Sequence, residues 1–148
     1  VSKNKDVIKG SLAFAMSRLS GGIIDQHIGA QLTKVPDDYI PAIAQEYTKR
    51  RDVLYKGLKN INGVTVAQPE GAFYIMAQLP VENAERFCTW LLEEFRDNDE
   101  TVMLAPGYGF YANKEKGKQI VRLAYVLEVP QLERSIELLK KALNKYSK

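Results

Sequence analysis

The chain has 148 residues, 45% hydrophobic and 26% charged, with a formal net charge of +3. That is the profile of one ordinary globular domain, able to bury roughly 68–70% of its unfolded surface. No apolar run is long enough to span a bilayer, no secretory signal pattern is visible, and the lone cysteine, Cys88, excludes an internal disulfide and fits a reducing cytoplasm. The first stretch, from about Lys5 to Met16, is predicted helical, with Val7, Ile8, Leu12 and Ala15 as its apolar stripe. The segment Ser17-Arg18-Leu19-Ser20-Gly21-Gly22 breaks it, and a second helix runs from near Ile23 to about Leu32.

Val35-Pro36-Asp37-Asp38 restarts the chain as a helix, with proline and acids suited to the first turn. Ile40, Ile43, Tyr47, Leu54, Leu58 and Ile61 then mark one face of a long helix that ends at Asn62-Gly63, with Glu46, Lys49, Arg50 and Asp52 on its wet side. Val64 to Val66 reads as a short strand, Gln68-Pro69-Glu70-Gly71 as a turn, and Ala72 to Leu79 as a second strand. Ala84, Phe87, Cys88, Leu91, Leu92 and Phe95 mark an amphipathic helix. A third strand is expected at Thr101 to Leu104, then a loop from Ala105 to Phe110, a fourth strand from Gln119 to Val126, and a last helix from near Pro130. Leu132, Ile136, Leu139, Leu143 and Tyr146 are that helix's buried stripe. The fold expected is α/β or α+β: a small mixed or antiparallel four-stranded sheet covered by helices, preceded by a long helix. Residues 1–35 read as a helical connector or interface segment and residues 36–148 as the domain proper.

Arg122 stands out. Alternation along its strand places it with Ile120, Ala124 and Val126, while Val121, Leu123 and Tyr125 occupy the other face. Neither face reads as solvated. A permanently charged group at such a place needs an anion. The anion can be one of the chain's own carboxylates, or a substrate carboxylate gripped through two parallel charge-assisted hydrogen bonds. Catalytic machinery is otherwise missing. The single histidine, His27, has no second ligand near it in sequence, which makes a poor metal site. Gly107-Tyr108-Gly109 lacks the third glycine and the strand-to-helix setting of a dinucleotide loop. The scattered basic residues, including Lys49-Arg50-Arg51, read as solvated faces, so no nucleic-acid surface is expected.

Three motifs in order resemble the C-terminal part of a class I, fold-type I aminotransferase: Pro69-Glu70-Gly71-Ala72-Phe73-Tyr74, then Ala105-Pro106-Gly107 with Phe110, then Val121-Arg122-Leu123-Ala124-Tyr125. The wording of Phe87-Cys88-Thr89-Trp90-Leu91-Leu92 and Gly109-Phe110-Tyr111 is most similar to bacterial aspartate aminotransferases. The resemblance implies a homodimeric, cytoplasmic enzyme that uses pyridoxal phosphate to exchange an amino group between an amino acid and a 2-oxo acid. It implies that Arg122 binds the substrate α-carboxylate, that Gly71 lets the backbone approach the pocket (its other reading is simply the fourth position of the turn), and that Arg18, with Ser20, lies in a segment able to reach a distal carboxylate, a surface or interface salt bridge being the other reading of Arg18. The cofactor-bearing lysine, the aspartate for the pyridine nitrogen and the large cofactor-binding domain are expected outside this sequence, so no catalytic residue and no bound cofactor are expected in the 148 residues alone. A stand-alone anion- or nucleic-acid-binding module, and an assembly role for the first helices, are the readings from other classes.

Overall fold

The computed structural model describes residues 2–17 and 21–146. The chain divides between Ile40 and Pro41 into two compact units. In the first, Asn4 starts helix α1 (Lys5–Ser17): its carboxamide oxygen accepts the backbone N–H groups of Asp6 and Val7, two of the donors a helix start leaves without partners. Helix α2 (Ile23–Ala30) follows, then a 3-10 turn at Leu32–Lys34. Neither helix buries a residue. Phe14, Met16, Ile23, Ile24, Ile28 and Leu32 are all well exposed.

The second unit holds the sheet. Strands β1 (Thr65–Val66), β2 (Tyr74–Gln78), β3 (Ala105–Pro106) and β4 (Ile120–Ala124) run antiparallel in the order β1-β2-β4-β3. The central ladder pairs Ile75 with Leu123, Met76 with Arg122 and Ala77 with Val121. Because successive side chains point to opposite faces, Ile75, Ala77, Val121 and Leu123 all turn inward, and each is buried. They meet Leu54 and Leu58 of α3 (Tyr39–Lys59), Phe87, Cys88 and Leu91 of α4 (Ala84–Glu93), and Leu132, Leu138, Leu139, Ala142 and Leu143 of α5 (Val129–Tyr146) in one apolar core. The opposite face carries no buried residue: Tyr74, Gln78 and Ala124 are exposed, and Met76, Ile120 and Arg122 are half-buried.

Local chemistry explains the element ends. Asn83 caps α4 by accepting from the N–H groups of Glu85 and Arg86. Gly63, at φ +78, closes the segment after α3 in a conformation that favours glycine. At the far end of the core, Arg134 of α5 meets Asp97, Glu100 and Glu137, and Lys141 meets Asp97 and Glu137. Such exposed pairs are individually weak, but together they tie α5 to the tight turn at residues 97–100.

Four expectations are corrected. The third strand does not lie at Thr101–Leu104. Val102 and Leu104 are buried and Met103 is exposed, as a strand's alternation requires, but the ladder to β4 holds only Ala105 with Arg122 and Pro106 with Val121. Proline has no N–H to give, which suits it to an edge strand. The face carrying Arg122 is open rather than covered. The apolar face of α3 is buried only over its second half, for Ile40 and Ile43 are exposed, and so is Leu92 of α4. Arg50, expected in water, is half-buried and donates to the Val126 carbonyl at 2.6 Å and to Glu46 at 2.8 Å.

Cys88 is buried, and burial, with Glu85 nearby, pushes its thiol up to about 11. The fold therefore favours the protonated thiol. Its contribution is complete below the ordinary thiol range near 9.0 and is lost as pH climbs toward about 11. Each tenfold change in proton affinity is equivalent to about 1.4 kcal/mol. Denaturant unfolding measured across that window should therefore show the wild-type chain losing more stability than Cys88→Ala does.

Candidate functional site

Arg122 sits at the middle of β4, on the open face of the sheet, opposite Met76 of β2 and Ala105 of β3. Among the described residues no carboxylate pairs with it and none of its guanidinium N–H groups has a hydrogen-bond partner. Three other arginines of this unit have acids beside them: Arg50 meets Glu46, Arg51 meets Asp52, and Arg134 meets three acids, whereas Arg96 donates to backbone carbonyls and the exposed Arg86 meets no acid among the described residues. What Arg122 meets is aromatic. Its guanidinium carbon lies 4.7 Å from the centroid of the Phe110 ring and 5.2 Å from that of Tyr74. Phe73 packs edge-on against Tyr74 at 5.8 Å. A structural ion pair, one of the two readings the strand pattern left open, is thus not what holds this side chain.

Sheet pairing explains the grouping. Tyr74 stands opposite Ala124, two residues along from Arg122 on the same face, a diagonal neighbour within reach of an aromatic ring. Phe110 arrives from the other side, at the end of a 3-10 turn, Gly107–Phe110, that follows β3. That turn lies tight against the sheet because Gly107 has no side chain: a Cβ there would come within 2.7 Å of the Ile120 Cβ and 2.8 Å of its carbonyl oxygen.

Gly71 lies in the segment that leads into β2. A Cβ added to it would meet nothing within 4 Å, so no close approach inside this chain requires glycine there. The left-handed backbone falls one residue later, at Ala72, with φ 61. Tyr125 accounts for how that conformation is held. Its ring is buried in the core and its hydroxyl donates to the Ala72 carbonyl at 2.8 Å. Burial pushes the phenol's pKa up, against a smaller opposing pull from Arg51, so it stays a donor. Tyr47, Thr48, Arg51, Glu70, Gly71 and Tyr125 border a cavity of about 200 Å³ beneath this segment. A larger, mostly apolar cavity of about 330 Å³ opens where residues 101–104 diverge from the end of β4, with Leu54 and Leu132 among its lining.

Arg18 and Ser20 lie outside the described residues. The structure therefore brings Arg122 together with Tyr74 and Phe110, and leaves Gly71 near Tyr125 rather than against Arg122's rings. The resemblance implied that the Ala105–Phe110 loop packs beside the pocket, but sequence reasoning missed that the Phe110 and Tyr74 rings meet Arg122, and it missed the Tyr125 hydroxyl. The motifs containing Tyr74 and Phe110 were visible, but only the register joining β2 to β4 shows that both flank the arginine.

Residues 4–139 match the family model for aminotransferase class I and II. The chain belongs to that family. It is 32% identical to an aspartate aminotransferase of Pyrococcus horikoshii over 106 residues, which covers 70% of this chain and 25% of the relative. It is 30% identical to an LL-diaminopimelate aminotransferase of Halothermothrix orenii over 138 residues, covering 91% of this chain and 33% of that one. Among solved structures, an alanine aminotransferase from Pyrococcus furiosus superposes with a TM-score of 0.76 at 25% identity, over 97% of this chain and 36% of that chain. The sequence thus spans only a quarter to about a third of the length of these relatives.

The family implies pyridoxal phosphate. The two cavities described above do not suit it: no lysine borders either, and the one arginine that does, Arg51, already spends two N–H groups on an Asp52 oxygen. On the open face the described residues form an unneutralised cation beside aromatic rings.

Replacing Tyr125 by Phe removes the hydroxyl that holds Ala72 while keeping the buried ring. Denaturant unfolding should show a loss of about 1 kcal/mol, with faster amide exchange confined to residues 71–74.

Proposed function

We propose that this chain is the C-terminal domain of a pyridoxal-phosphate-dependent aminotransferase that exchanges an amino group between an amino acid and a 2-oxo acid, with aspartate as the amino donor. Arg122 holds the substrate α-carboxylate. One observation carries this reading: a guanidinium, charged at every physiological pH, lies on an open sheet face with no carboxylate of the described residues beside it. Aspartate is favoured because several relatives are named aspartate aminotransferases, in Geobacillus stearothermophilus and Bacillus subtilis as well as Pyrococcus horikoshii.

The chemistry would be divided. Pyridoxal phosphate, when bound, supplies the electron sink that lets an amino group leave one carbon skeleton and join another. Its lysine and aspartate partners would come from a large domain outside these 148 residues, and by this reading the chain alone turns over no amino acid. The part assigned to Arg122 is positional. Two parallel N–H···O bonds fix both the place and the plane of a carboxylate, and so fix the orientation of the α-carbon attached to it. Gly71 would admit backbone close to the substrate, and Arg18 would meet a distal carboxylate. The exposed apolar residues of α1 and α2, among them Phe14, Met16 and Ile24, support burial against another body, which fits a homodimer. No helix among the described residues is long and apolar enough to cross a membrane, and the single buried thiol suits a cytoplasmic location.

In the full-length enzyme, Arg122→Lys keeps a charge and loses the fork. A charge-assisted pair contributes roughly 1.5–3 kcal/mol, so kcat/KM should fall about tenfold to a hundredfold. Steady-state kinetics with aspartate and 2-oxoglutarate measure this, and a near-normal value for Arg122→Lys counts against the role.

A further inference from the structure

Fixing an arginine usually takes a carboxylate, and a carboxylate consumes the N–H donors that a substrate would need. Here the work is done by rings. A cation over an aromatic face is attracted through the ring's quadrupole, and that contact uses none of the five N–H groups of the guanidinium. The two rings reach Arg122 from opposite sides of β4: Tyr74 from β2, which pairs along one edge, and Phe110 from the turn after β3, which pairs along the other. Phe73 braces Tyr74 edge-on.

Resting on the reading of Arg122 as the substrate-carboxylate group, we propose that Phe110 and Tyr74 are positioning residues, an aromatic clamp that holds the guanidinium and leaves only its N–H edge open, so that the site selects a flat carboxylate over a tetrahedral oxyanion of equal charge. A carboxylate lying in the guanidinium plane takes two parallel bonds along that edge. A sulfonate making the same two bonds carries a third oxygen out of the plane, toward one of the rings.

The test uses the full-length enzyme with labelled arginine, followed by NMR, with propionate and ethanesulfonate as singly charged probes. Phe110 is 52% exposed, so its substitution leaves the core untouched. In the unaltered chain the Arg122 side-chain protons should lie upfield of the other arginines through ring currents. Phe110→Leu should abolish most of that displacement, weaken propionate about threefold to tenfold and narrow the preference over ethanesulfonate, whereas Phe110→Tyr, which restores the ring, should restore all three. No upfield displacement in the unaltered chain, or unchanged affinity and preference in Phe110→Leu, overturns the clamp. Arg122→Gln separates the two ideas. If it leaves propionate binding intact, or if the unaltered chain binds no propionate, the carboxylate reading of Arg122 fails. If it removes binding while Phe110→Leu changes nothing, only the clamp fails.

Discussion

A single cation on a half-covered sheet organises this molecule. Arg122 occupies the middle strand of the ladder, where one face is sealed by three helices and the other is open. On the sealed face a guanidinium would need a buried acid. On the open face it can remain charged and unpaired. Keeping it in one place then requires contacts that do not neutralise it, and the two rings beside it meet that requirement.

The core and the site are thus two sides of the same strands. Val121 and Leu123 are buried because Arg122 between them faces the other way. Tyr125 continues the inward set, yet its hydroxyl reaches the Ala72 carbonyl at the edge of the segment that delivers Phe73 and Tyr74. Gly107 permits the close approach that brings Phe110 to the arginine. Each residue that shapes the open face is anchored by one that faces or touches the core, which is how a small domain can present a rigid feature on its surface. Rigidity of this kind matters for a group whose proposed contribution is orientation, since orientation is lost with small displacements.

Much of this was legible in the chain. The period of α4 and α5, a small four-stranded sheet, though not whether it is mixed or antiparallel, and the arginine inside an apolar strand all follow from residue patterns, and the order of three motifs alone points to the aminotransferases. The misses share a cause, namely that local pattern does not report pairing. Thr101 to Leu104 alternates like a strand, but Thr101 anchors on the Leu91 carbonyl through its hydroxyl and the ladder begins only at Ala105. Gly71 was expected to admit a close backbone approach or to close a turn, and the left-handed backbone falls one residue later, on Ala72, whose carbonyl is held by Tyr125, 53 residues away in sequence. Ile40, Ile43 and Leu92 lie on apolar stripes yet stay exposed, since periodicity identifies a face without saying whether this chain covers it. Tyr74 and Phe110 could be tied to Arg122 only through the register of β2, β3 and β4.

The central claim is that Arg122 receives a carboxylate from outside. A crystal structure of the full-length enzyme with a bound 2-oxo acid tests it most directly. The account predicts the ligand's C1 carboxylate in the plane of the Arg122 guanidinium, with two N–H···O contacts of about 2.7–2.9 Å, between the rings of Tyr74 and Phe110. A ligand whose carboxylates are held by other residues, with Arg122 turned to solvent or paired with a protein acid, contradicts it.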